Sequence, residues 1–162
     1  MGDEAITTDM IAAMMRHKWP NQPSYVFFQE LILGTGWSNQ QRADGYLLEL
    51  WPSKGFEKTA FEYKVSRSDF LSEIKNPQKR QGIKNFADYF VFVTANGICK
   101  KEEIPQDCGW YEYDGSELHI RIRPPKLPSV PNPCWSFVSS LIRAAARIKE
   151  EECKISLTTK LE

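Results

Sequence analysis

The spacing of apolar residues changes several times along this chain, and each change predicts an element. From Thr8 to Trp19, Ile11, Met14, Met15 and Lys18 recur at helical spacing, with Thr8 as the cap. Pro20 and Pro23 break that pattern. Ser24 to Leu33 is rich in aromatic and branched residues and predicts a strand. A second strand is predicted over Ala43 to Trp51 and a third over Lys58 to Val65, separated by the turn Pro52-Ser53-Lys54-Gly55. Short loops between the three predict an antiparallel meander. Ser66 and Asp69 have the spacing of a capping box, which starts a helix from about Arg67 to Lys75. Asn76 and Pro77 open another, ending near Phe86.

Tyr89 to Thr94 is an unbroken apolar run, the pattern of a strand covered on both faces. Trp110 to Tyr113 and Glu117 to Ile122 flank Asp114-Gly115 as a hairpin. Residues 124–133 hold five prolines and read as an extended connector. Asn132 and Pro133 then cap and start a final helix to about Glu152, with Val138, Leu141, Ile142, Ala145 and Ile148 as its apolar stripe. The order predicts a mixed α/β sheet with helices packed on it. It divides the chain into a core over residues 1–123, the connector over 124–133, and a C-terminal helix and tail over 134–162 packed on the core.

Composition narrows the function classes. A chain of 162 residues is one domain's length. No apolar run approaches a membrane span. The acidic N-terminus lacks a signal-peptide core, so a cytoplasmic protein is expected. The four cysteines are unevenly spaced, which fits reduced thiols better than a zinc site or a disulfide framework. Two histidines give a histidine-centred metal site little material. Net charge is zero, which counts mildly against a simple nucleic-acid binder but not against an enzyme whose carboxylates offset a basic patch.

Candidate chemistry lies where polar residues interrupt the strand pattern. Asp44 opens the second strand. Glu62 and Lys64 interrupt the third and share one face, with α-carbons roughly 6.5 to 7 Å apart. If the two strands pair, Asp44 lies beside them. Two acids and an amine on one sheet face are costly unless their charges are compensated, and a divalent cation compensates them. Two carboxylates suit Mg²⁺, which prefers oxygen ligands, and a nearby lysine can stabilise charge growing on a phosphate. The competing reading of Glu62 and Lys64 is an ion pair on a solvated strand.

Arg42-Ala43-Asp44, then seventeen residues, then Glu62-Tyr63-Lys64 resembles the motif of the PD-(D/E)xK nuclease superfamily. Beyond the lysine, Val65-Ser66-Arg67-Ser68-Asp69-Phe70-Leu71 and Asn76-Pro77-Gln78-Lys79-Arg80 are similar to small single-domain members of bacteria and phages, including MmcB-like DNA-repair proteins. The similarity spans about Tyr25 to Arg123, and Ala43 stands where the motif's name has proline. The resemblance implies a restriction-endonuclease-like mixed sheet flanked by helices, with Mg²⁺ or Mn²⁺ held by Asp44, Glu62 and the backbone carbonyl of Tyr63. Lys64 would be the family lysine. Glu30 is the candidate for a further upstream acid, against an exposed strand residue as the alternative.

For nucleic acid, Arg67 could clamp a phosphate in bidentate fashion or pair with Asp69. Lys79, Arg80 and Lys84, with Lys75, form either a phosphate-tracking face or a solvated one, Lys79 being the best single candidate. Trp37 could stack on a base or pack over its loop. The leading expectation is a Mg²⁺- or Mn²⁺-dependent nuclease acting on DNA, with RNA open, in repair, recombination, or phage or defence processing. The alternatives are a non-catalytic nucleic-acid-binding or protein-docking module on the same fold, or a viral accessory protein that binds a host protein through its C-terminal helix. A protein partner or a homo-oligomer is compatible with each.

Overall fold

The computed structural model describes residues 5–34, 41–128 and 133–159, without the side chains of residues 153 and 156–159. Helix α1 (Thr8–Lys18) starts at Thr7, not Thr8: the Thr7 hydroxyl accepts the Met10 N–H at 3.3 Å. Ile11, Ala12 and Met15 are its buried face. Strands β1 (Tyr25–Ile32), β2 (Arg42–Glu49) and β3 (Lys58–Lys64) form the expected antiparallel meander. Helices α2 (Arg67–Lys75) and α3 (Pro77–Lys84) follow. Ser66 caps α2 by accepting the Asp69 N–H at 3.2 Å. Asn76 makes no side-chain cap bond at the start of α3, which Pro77 opens alone.

The α2–α3 crossover returns the chain parallel to β3 as β4 (Tyr89–Ala95), since parallel neighbours need a long connection. Strand β5 (Gly109–Tyr113) is parallel to β4, and β6 (Leu118–Ile122) closes the hairpin. The six strands lie in chain order in one mixed sheet, with β1 and β6 outermost. The central β4 is buried along nearly its whole length, as its unbroken apolar run requires.

Two cores sandwich this sheet. On one face Ala60, Phe90 and Phe92 pack with Phe70 of α2, Ile83 of α3 and Phe137 of helix α4 (Trp135–Thr159). On the other, Phe27, Phe61, Tyr63 and Val91 pack with Ile11 and Met15 of α1. The proline-rich connector is tied to the core: Leu127 is buried and its N–H reaches the Asp88 carbonyl at 2.8 Å. The buried stripe of α4 is rotated from the predicted one. Phe137, Ser140, Leu141, Ala144 and Ile148 face inward, while Ile142 and Ala145 are exposed. The expected Asn132 cap and the tail beyond residue 159 lie outside the described residues. Among the described residues no helix is long and apolar enough to cross a membrane.

Candidate active site

A kink in the meander positions Asp44. Gln29 pairs with Gly45 and Leu31 with Ala43, but Glu30 and Asp44 between them do not pair. Glu30 has φ of 52°, left-handed backbone that disfavours any residue with a Cβ. Such a residue in a strand costs about 1–2 kcal/mol. Gly45 sits next to the kink for a different reason: a Cβ there would lie 2.5 Å from Tyr63 Oη and 2.9 Å from the Phe27 ring. The β2–β3 pairing ends at Gly45 and Phe61. Beyond it, the Asp44 carboxylate substitutes for ladder backbone, with Oδ2 accepting the Tyr63 N–H at 2.9 Å. Burial raises the Asp44 pKa, and the Tyr63 N–H partly offsets this.

Glu62 and Lys64 are buried, at 7% and 4% exposure, which removes the solvated-strand reading. Lys64 Nζ donates to Glu62 Oε1 at 2.9 Å. It also lies 3.4 Å from Asp69 Oδ2 and 3.5 Å from Glu73 Oε2. The pair is asymmetric. Burial lowers the Lys64 pKa, but Glu62, Glu73 and Asp69 outweigh that and raise it, so Lys64 stays charged. Glu62 has one ammonium against burial and the charge of Asp44, and its carboxyl is pushed up to about 7. Asp44 and Glu62 therefore share a patch where a second negative charge is unwelcome, the condition a bound cation relieves.

Glu73 completes the cluster, and the sequence pattern did not single it out. Its carboxylate is buried and meets Lys79 Nζ at 3.0 Å and Arg80 Nη1 at 4.0 Å. The signal was present: Glu73 interrupts the inward face of α2 between Phe70 and Ile74.

The expected nucleic-acid contacts divide. Lys79 is exposed, as a phosphate contact requires, and its ammonium rests on Glu73. Arg80 and Lys84 are buried and cannot form a phosphate-tracking face. Arg80 donates to the Glu73 carbonyl and lies over the Phe92 ring. Lys84 meets Asp107 Oδ2 at 2.6 Å and lies over the Phe90 ring. Both heads lie against β4 rings; Arg80 Nη1 and Lys84 Nζ find partners, while the buried Arg80 Nε has none among the described residues. Arg67 is exposed, but its fork is closed on Glu103 by two 2.6 Å bonds, and Asp69 is not its partner. Trp37 lies outside the described residues. Glu30 is exposed, with its carboxylate 3.7 Å from Arg42, and its charge adds the smallest contribution to the raised Asp44 pKa.

The acceptors gathered here are carboxylate oxygens, which suit a hard cation rather than zinc. One oxygen of each acid is committed, Asp44 Oδ2 to Tyr63 and Glu62 Oε1 to Lys64, and among the described residues no hydrogen bond reaches the second oxygen of either. Among the described residues, three or more His, Cys, Asp or Glu side chains nowhere converge as a ready-made metal centre.

No family model matches the chain, and no curated protein does. Among solved structures it is similar to the SPO1766 protein of unknown function from Silicibacter pomeroyi, with 21% identity, a TM-score of 0.56 and 88% of each chain covered. At that identity the likeness shows the fold alone, a mixed α/β sheet flanked by helices.

Proposed function

We propose that this protein is a Mg²⁺- or Mn²⁺-dependent nuclease that hydrolyses DNA phosphodiester bonds, with Asp44 and Glu62 holding the cation and Lys64 beside the reacting phosphate. The observation that carries this reading is a buried ammonium held 2.9 Å from a buried carboxylate whose pKa is raised by burial and by a second acid. When bound, the cation would supply Lewis acidity, activating water and neutralising phosphate charge. The chain's own groups supply the rest. Asp44 is held by the Tyr63 N–H, so its remaining oxygen is oriented before any ligand arrives. Lys64, kept protonated by three acids, stabilises charge developing on the phosphate oxygens. Glu73 and Asp69 fix where that ammonium sits.

Purified protein is expected to cut labelled DNA with Mg²⁺ or Mn²⁺ and to stop with EDTA. Asp44→Ala, Glu62→Ala and Lys64→Ala should each lower cleavage by at least about 100-fold while the fold persists. Single-stranded, duplex and RNA substrates define its class. Equal cutting by all three variants and the parent contradicts the proposal.

A second reading is a non-catalytic nucleic-acid-binding or protein-docking module. It is favoured by the way Glu62, Lys64, Glu73 and Lys79 satisfy one another within the protein. Metal-independent DNA binding with no cleavage of any substrate would select it.

A further inference from the structure

Helix α4 runs along the outer strand β1, and with the end of α1 the two wall a groove of about 600 Å³. Three arginines line it: Arg16 in the last turn of α1, and Arg143 and Arg147 one turn apart on α4. All three are exposed, and none forms an ion pair with a carboxylate among the described residues. Three guanidinium groups around one groove, without a carboxylate partner among the described residues, repel one another and attract a polyanion. Trp19 also lines the groove, but its ring is taken up by Phe27 at 5.9 Å, Phe61 at 5.2 Å and the Lys18 ammonium at 5.4 Å, so the arginines carry the recognition. A positively charged groove that tracks the backbone is the usual form of a single-strand track.

The groove also contains acids. Glu30 is answered by Arg42, and Glu151 and Glu152 stand beyond Arg147 toward the far end of α4. Arg143 and Arg147 precede those acids along α4, whose Ser140 Oγ donates to the Gly34 carbonyl at 3.1 Å just past β1. The lining of the groove includes Gln29 and Glu30, and Glu30 lies opposite Asp44 across the ladder. The groove floor therefore borders Asp44 across one strand pairing.

We infer that this groove binds the backbone of single-stranded nucleic acid and delivers it to Asp44, which rests on the nuclease reading and names the form of its substrate. Arg143 and Arg147 are separated by about 6 Å along the helix, which suits contact with neighbouring phosphates of one extended strand. A volume of about 600 Å³ is in the range of a small-ligand site, room for one or two nucleotides and not for a duplex.

The test is fluorescence anisotropy of a labelled 12-mer of thymidylate, titrated in EDTA so that no cleavage occurs. The proteins are the full chain and its Arg16→Ala/Arg143→Ala/Arg147→Ala variant, with matched circular dichroism and unfolding midpoints. The triple variant is expected to bind at least about tenfold more weakly. Its log–log salt slope should be shallower by about 2, because each phosphate neutralised on a single strand adds about 0.7 to that slope. A 12-base-pair duplex should bind the parent more weakly than the single strand. Unchanged affinity in the triple variant overturns the inference. So does a parent that binds no oligonucleotide, one that prefers duplex, or one that instead forms a dimer through this face. If the triple variant binds more weakly, as expected, and the parent cuts nothing with Mg²⁺ or Mn²⁺, the groove stands and the nuclease reading falls. If the parent cuts and the triple variant binds as tightly as the parent, the reverse holds.

Discussion

Replacing Glu62 with glutamine isolates the electrostatic strain of the site. Glu62 is 7% exposed, and burial, then the Asp44 charge, push its carboxyl up to about 7 from an ordinary value of 4.5. Below 4.5 the group is neutral in the folded and the unfolded chain, and its contribution to stability is fully present. As pH rises from 4.5 to about 7, the unfolded chain ionises first and the folded state loses ground, levelling off above that window. At about 1.4 kcal/mol per unit, roughly 2–3 kcal/mol is lost between pH 5 and pH 8. Glutamine keeps the volume and an oxygen for Lys64, which also retains Asp69 and Glu73. In EDTA at pH 8 the Glu62→Gln protein should therefore be the more stable one by about 2–3 kcal/mol, or about 4–12 °C in Tm for a chain of this length. At pH 5 the gap should shrink below about 1 kcal/mol. Urea unfolding of both proteins at pH 5, 6.5 and 8 reads the difference directly. A glutamine variant no more stable than the parent at pH 8 would refute the reasoning, because Glu62 would then be ionised and satisfied by Lys64 alone.

Two further substitutions probe the supports of the site. Glu30→Gly relieves the left-handed backbone at φ of 52° and gives up only an exposed pair with Arg42. It should raise the urea midpoint by the equivalent of about 1 kcal/mol with an unchanged m value, and a fall would show that the kink is held by the side chain instead. Glu73→Ala leaves Lys64 and the buried Arg80 without their shared carboxylate. It should cost about 3–5 kcal/mol in the same assay. A loss below about 1 kcal/mol would mean that the cluster does not depend on Glu73.

The parts of this fold that were legible in the sequence are those where periodicity and topology agree. The alternation in β3 predicted that Glu62 and Lys64 share a face, and their side chains meet at 2.9 Å. The capping spacing at Ser66 predicted the start of α2, and the apolar run from Tyr89 predicted a strand covered on both faces. Other features had no such signal. A left-handed glutamate carries none of the glycine that normally marks positive φ, so the kink at Glu30 was invisible. Charge pattern places Arg80 and Lys84 outside, because fully buried cations are rare unless paired. Their partners, Glu73 and Asp107, come from outside α3, and one is distant in sequence. The α4 stripe shifted because Ala144, Ala145 and Ala146 give little reason for one face over another. Thr7 displaced Thr8 as the cap because adjacent threonines carry the same signal.

The central claim is that Asp44 and Glu62, eighteen positions apart in sequence, hold one divalent cation together. Isothermal titration of Mn²⁺ into the metal-free protein at pH 8 tests it most directly. A single site is expected in the parent and is expected to be lost in both Asp44→Asn and Glu62→Gln. Absence of any site in the parent, or a site that survives both substitutions, would contradict it.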